Sequence, residues 1–139
     1  MAREVLLRKL RYLRQLLADL TPYKDAMPAQ VRQEHYKLER ILELLVMTAS
    51  DLIFHLLAEQ NIQPESYRHA FQLATEQGWL PQDLAARLQD ATGLRNILAH
   101  LYETIDYRIL HTTIPLALAD FTQFTVIFEA RLNQDETKS

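Results

Sequence analysis

The chain has 139 residues, 48% hydrophobic and 24% charged, with 2 glycines, no cysteine and a formal charge of −3. One domain of this length buries roughly 70% of the surface its unfolded chain exposes, so a full core is within reach. Two glycines, against an average usage of about 7%, disfavour glycine-dependent hairpins and phosphate loops, and the absence of cysteine excludes disulfides, thiolate nucleophiles and zinc-thiolate sites.

The N-terminus enters a charged amphipathic pattern at once, without the apolar run of a signal peptide, which leads to the expectation of a cytoplasmic protein. Leu6, Leu10, Leu13, Leu17 and Leu20 repeat at 4-3-4-3 spacing and form one stripe of a first helix, which Thr21-Pro22 ends. A second, long helix is expected from near Ala29 to about Gln60. Leu38, Leu42, Leu45, Ala49, Leu52, Ile53 and Leu56 face inward, and Ile41, Val46 and Leu57 widen the apolar arc toward neighbours on two sides. Glu43 and Asp51 interrupt this stretch, and on that ground a membrane span is not expected.

Asn61 to Pro64 is the next break. A short helix from Glu65 to about Gln77 follows, carrying Tyr67, Ala70, Phe71 and Ala74 and stopping at Gly78, and Phe71 and Trp79 should pack it onto the rest. Pro81 suits the first turn of a fourth helix with Leu84, Leu88, Ala91 and Leu98 inward. Gly93 lies inside that helix and weakens it by about 1 kcal/mol relative to alanine unless close packing offsets the loss. The last helix runs from about Arg108 to Asn133, carrying Leu110, Ile114, Leu116, Leu118, Phe121, Phe124, Ile127 and Phe128, with Pro115 kinking it or delaying its start. No repeat or composition shift marks a second domain, so residues 1–139 read as one all-α, antiparallel helical bundle of about five helices.

The densest polar chemistry lies in Arg95, Asn96, His100 and Tyr102, within eight positions of an otherwise apolar stretch. On one helix Asn96 and His100 are i,i+4 neighbours, whereas Arg95 and His100 stand about 140° apart. They converge if the helix ends near His100, if the arginine wraps round, or if a two-fold dimer brings the segment against its own copy. Arginine holds a phosphate by paired hydrogen bonds and imidazole titrates near neutral pH, a combination suited to metal-free phosphoryl chemistry. The plainer alternative is that both are pairing groups at a helix end.

Arg95-Asn96 followed by His100 and Tyr102 resembles the R-N-x-x-x-H-x-Y motif of HEPN-domain ribonucleases, specifically the HepT-like toxins paired with MNT nucleotidyltransferase antitoxins. Pro64-Glu65-Ser66-Tyr67, Phe71, Gly78, Leu88, Gly93-Leu94, Leu98-Ala99 and Asp106 fit the same pattern. The resemblance implies a homodimeric, metal-independent endoribonuclease of transfer or messenger RNA, with His100 as general acid or base and Arg95 on the phosphate. Asn96 would orient His100, bind RNA, or make only a local helix-end hydrogen bond. Tyr102 would stack on RNA and would be the hydroxyl to which the antitoxin attaches AMP, with Tyr107 and Thr104 as further candidates. A non-catalytic HEPN-like bundle that binds nucleotide or supports a nucleotidyltransferase is the alternative.

Other polar groups are less specific. Asp51 and His55 form an i,i+4 pair that reads as solvated pairing or as the rim of a cleft. Glu103 and Asp106 do not have the spacing of metal ligands beside His100, so no metal and no cofactor are expected. His35, His69 and His111 read as isolated structural or exposed residues. Residues 1–14 hold Arg3, Arg8, Lys9, Arg11 and Arg14 against Glu4, a local charge of +4, which leaves −7 on the remaining chain. That basic helix is either a solvated face or a surface for RNA phosphates or an acidic partner.

Overall fold

The structure, a computed structural model, describes residues 2–100 and 107–137, and of their side chains those of residues 3–93 and 107–134. It is all-α: α1 (Ala2–Leu20), a 3-10 turn (Thr21–Tyr23), α2 (Pro28–Gln33), α3 (His35–Glu59), α4 (Tyr67–Glu76), α5 (Gln82–His100) and α6 (Tyr107–Thr137), with no strand among the described residues. Helix α3 is the hub, packed by α1, α4, α5 and α6, while α4 lies on α5 and α1 on α6. The expected leucine stripe of α1 and the whole inward set of α3 are buried, many of them fully.

The breaks have local causes. Thr21 Oγ1 donates to the Leu17 carbonyl at 2.7 Å where α1 gives way to Pro22. At the end of α3, Asn61 takes φ of 59°, its N–H reaching the Ala58 carbonyl at 3.0 Å and that of Ile62 the Leu57 carbonyl at 2.9 Å. Gly78 repeats the device after α4 at φ 77°, with Trp79 N–H on the Ala74 carbonyl at 2.9 Å, so both ends are left-handed Schellman closures. Ser66 caps the start of α4, its Oγ accepting from the His69 N–H at 3.0 Å.

Two expectations change. The single helix expected from Ala29 to Gln60 is divided at Glu34 (φ −109°, ψ 25°), giving six α-helices rather than about five. Glu34 Oε1 accepts from the Tyr23 hydroxyl at 2.9 Å at this corner. On α6, Leu116 is 63% exposed, because at about 100° per residue it stands about 200° from both Ile114 and Leu118, which are buried. Helix α3 is long and apolar enough to cross a membrane despite Glu43 and Asp51, but 61% of its most apolar stretch is buried in the bundle. Its apolarity belongs to a core helix with neighbours on several sides.

Pro115 neither ends nor delays α6, which runs through it from Tyr107. It removes one N–H from the ladder, and in the turn before it Thr112 and Thr113 hydroxyls donate back to the Ile109 carbonyl at 3.1 and 2.6 Å. His111 Nε2–H donates to the Ala26 carbonyl at 2.9 Å and fixes this segment to the loop before α2.

Candidate functional site

Helix α5 is anchored by Leu84, Ala85 and Leu88, all buried, and by Thr92, whose hydroxyl donates to the Gln89 carbonyl at 2.6 Å. It continues unbroken past Gly93 through Arg95 and Asn96 to its last residue, His100. Those three positions therefore share one helix, with Asn96 and His100 on neighbouring faces and Arg95 about 140° from His100. Their side chains, and all of Tyr102, Glu103, Thr104 and Asp106, lie outside the described residues.

What surrounds the segment is well defined. At Gly93 a β-carbon would stand 3.3 Å from Nη2 of Arg68, so the absent side chain is what lets a guanidinium from the first turn of α4 lie against α5. That contact supplies the close packing which a mid-helix glycine requires, and nothing in the spacing of apolar residues signals it. Arg68 is the residue near this site that the sequence reading missed. The unexplained glycine was its only trace.

On the other side of α5 a groove of about 290 Å³ separates it from α6, lined by Arg87, Asp90, Ala91, Leu116, Ala117 and Phe121 among others. Arg87 holds its rim, with Nε–H on Asp120 Oδ1 at 2.8 Å, and that hydrogen bond is the main cause raising the Arg87 pKa above its ordinary value. Leu116 stands open to solvent beside it.

Beyond the undescribed segment 101–106 the chain re-enters at Tyr107. The His35 ring meets it edge-on at 5.3 Å, and the Arg32 guanidinium lies 5.3 Å from its ring centroid. His35 is not isolated, because its Nδ1–H also donates to Glu39 Oε2 at 2.7 Å. His69 accepts the Glu65 N–H on Nδ1 at 3.1 Å. Both histidines, like His111, are used in local structure.

Asp51 does not pair with His55. Its carboxylate lies 3.6 Å from Lys9 Nζ on α1, and among the described residues no ion pair joins it to the histidine. The basic face of α1 is likewise partly occupied, since Arg3 donates to the Leu132 carbonyl at 2.9 Å and Arg14 pairs with Glu129, both on α6. Arg8 and Arg11 remain on its exposed side. Among the described residues no three histidine or carboxylate side chains gather as a metal-binding group.

The comparisons with known proteins agree in direction. The mRNA nuclease HepT of Shewanella oneidensis is 31% identical over 81 residues, an alignment covering 58% of this chain and 61% of that protein, so the match spans about three fifths of the relative's length. The fold is similar to that of the tri-AMPylated S. oneidensis HEPN toxin in complex with MNT antitoxin, with a TM-score of 0.81, 22% identity and coverage of 91% of this chain and 97% of that one. A toxin-antitoxin crystal structure with AMP-PNP gives a TM-score of 0.82 at 21% identity, covering 91% and 98%. The family described as Ribonuclease HepT-like matches residues 6–126, which is most of the chain, and the protein belongs to that family.

Proposed function

We propose that this chain is the toxin of a toxin-antitoxin pair, a metal-independent endoribonuclease that cuts transfer or messenger RNA with Arg95 and His100 and is neutralised when a partner nucleotidyltransferase attaches AMP to Tyr102. The observation that carries the reading is the family match over residues 6–126, which includes all four motif residues. Two relatives support it by name, one an mRNA nuclease and one a tri-AMPylated toxin in complex with MNT antitoxin.

In this reading His100 removes the proton from a ribose 2′-hydroxyl as it attacks the adjacent phosphorus, or protonates the departing 5′-oxygen. Arg95 binds the non-bridging oxygens and stabilises the charge that develops there. Asn96, one turn before His100, orients the imidazole or hydrogen-bonds RNA. AMP on Tyr102 places bulk and negative charge two residues from His100, which repels RNA phosphates and obstructs the cleft without unfolding the bundle.

The angular separation of Arg95 and His100 on α5 favours a site completed across a two-fold axis. In this reading a second copy covers the open groove between α5 and α6, where Leu116 is exposed. A cytoplasmic location accords with such an activity.

The test is direct. Purified protein is incubated with transfer and messenger RNA in excess chelator beside His100→Ala, and cleavage by the wild type alone is the expected outcome. No cleavage of any RNA by unmodified protein would overturn the reading in favour of the non-catalytic bundle.

A further inference from the structure

We propose that Arg68 is a second phosphate-binding residue of the same site, holding an RNA phosphate that flanks the scissile one on the His100 side of α5. The inference rests on the ribonuclease reading and adds a residue and a direction to it.

Three observations carry it. The Arg68 guanidinium lies against α5 at Gly93, 3.3 Å from where a β-carbon would be. Helical geometry then orders what lies beyond: His100 is seven residues on, only about 20° round the axis and about 10 Å along it, and Asn96 is about 60° away on the same side. Arg95 stands about 160° from Gly93, so the motif arginine and the motif histidine of one protomer occupy different faces, whereas Arg68 and His100 share one.

Secondly, Arg68 is exposed, and no hydrogen bond or ion pair joins it to another of the described residues. Arg87 is held by Asp120, Arg14 by Glu129, and Arg131 lies over the Trp79 ring at 4.8 Å, whereas Arg68, like Arg8 and Arg11 on α1, is exposed. What sets Arg68 apart from those two is its place beside the helix that carries the motif, where a guanidinium is suited to a phosphate. Thirdly, Arg68 is in the first turn of α4, where the helix dipole adds positive potential. A span of about 10 Å along the helix keeps the bound phosphate within a few nucleotides of the bond that is cut. Arg68 therefore positions the strand and takes no part in the bond exchange.

The experiment measures binding of a fluorescein-labelled single-stranded RNA to the full chain by anisotropy over a salt series in chelator, in a His100→Ala background that leaves the RNA intact. Arg68→Ala should weaken binding about five- to tenfold and lower the slope of log K against log salt by about 0.7, the value for one lost contact to a single strand, while Arg68→Lys keeps most of the affinity. Gly93→Ala is the companion variant. The tip of a flexible side chain yields to the new methyl group, so the bundle keeps or raises its melting temperature, alanine being the better helix former, while the guanidinium is displaced and binding weakens several-fold. With His100 intact, Arg68→Ala should raise KM and leave kcat within about threefold.

Unchanged affinity and slope in Arg68→Ala, from a wild type that cleaves RNA, would overturn the proposal alone. Equal loss of binding and of melting temperature in Arg68→Ala and Arg68→Lys would make the residue a structural cover for Gly93, and loss of antitoxin capture with RNA binding intact would assign it to the protein partner. A wild type that neither binds nor cuts RNA overturns the ribonuclease reading together with this one.

Discussion

Nε of Arg87 on α5 donates to Oδ1 of Asp120 on α6 at 2.8 Å, and its Nη2 reaches Gln123 Oε1 at 3.3 Å, so one guanidinium clips together the two helices that bound the groove below the motif. The clip leaves the apolar side of the groove open at Leu116. Leu116→Glu should therefore leave the far-ultraviolet circular dichroism of the bundle unchanged, convert the proposed dimer to a monomer by light scattering, and abolish cleavage. A Leu116→Glu protein that stays dimeric would remove this face from the interface.

His100→Ala and Arg95→Ala should each lower single-turnover RNA cleavage by about 10²- to 10⁴-fold, the range for a general acid or base and for a donor to developing charge. Both variants should keep the melting temperature of the wild type within a few degrees. Equal activity of Arg95→Ala and wild type would remove the arginine from the reacting phosphate.

Tyr102→Phe separates modification from catalysis. Co-expressed with the cognate nucleotidyltransferase, the wild type should gain one or more AMP masses and the variant should gain fewer, as read by intact-protein mass spectrometry. A variant with the full mass increase would move the acceptor to another hydroxyl, with Thr104 and Tyr107 the next to test.

Phe124 is fully buried, stacked on Phe128 at 5.6 Å and edge-on to Phe71 at 6.5 Å. It joins α6 to α4. Phe124→Ala should cost about 3–5 kcal/mol in urea unfolding, because the removed ring leaves a cavity between α4 and α6. A loss below about 1 kcal/mol would show that the site collapses without it.

Gly78→Ala tests the turn between α4 and α5. No atom stands within 4 Å of the added methyl, so the penalty is conformational alone: a residue with a β-carbon held at φ 77° costs roughly 1–2 kcal/mol. Equal stability of variant and wild type would mean that the turn relaxes to another conformation.

Much of the bundle was legible because burial and periodicity coincide in it. The leucines of α1 and the arc of α3 were readable residue by residue, and so were the stops at Thr21-Pro22, Asn61 and Gly78, where the backbone itself changes direction. The corner at Glu34 was not, because Val31 and Leu38 are both fully buried and seven residues apart, so the apolar pattern runs across the break as if the helix were continuous. Leu116 is the opposite case, apolar but out of phase with the buried face of α6. Arg68 left no pattern at all, since a contact between a side chain of one helix and the missing side chain of another has no period. The motif itself was readable through resemblance, whereas its meaning for Arg95 and His100 depends on α5 remaining helical to its end.

Helix α3 has one more consequence, which concerns order in time. The chain is made from its N-terminus, and domains close in that direction. When α3 emerges, α4, α5 and α6, which pack several of its sides, are still to be synthesised. For that interval the nascent protein displays a segment long and apolar enough to cross a membrane. The apolar sides of α3 that α6 covers stay open until the last helix arrives, so a chain stopped short of residue 107 leaves them to whatever they meet first.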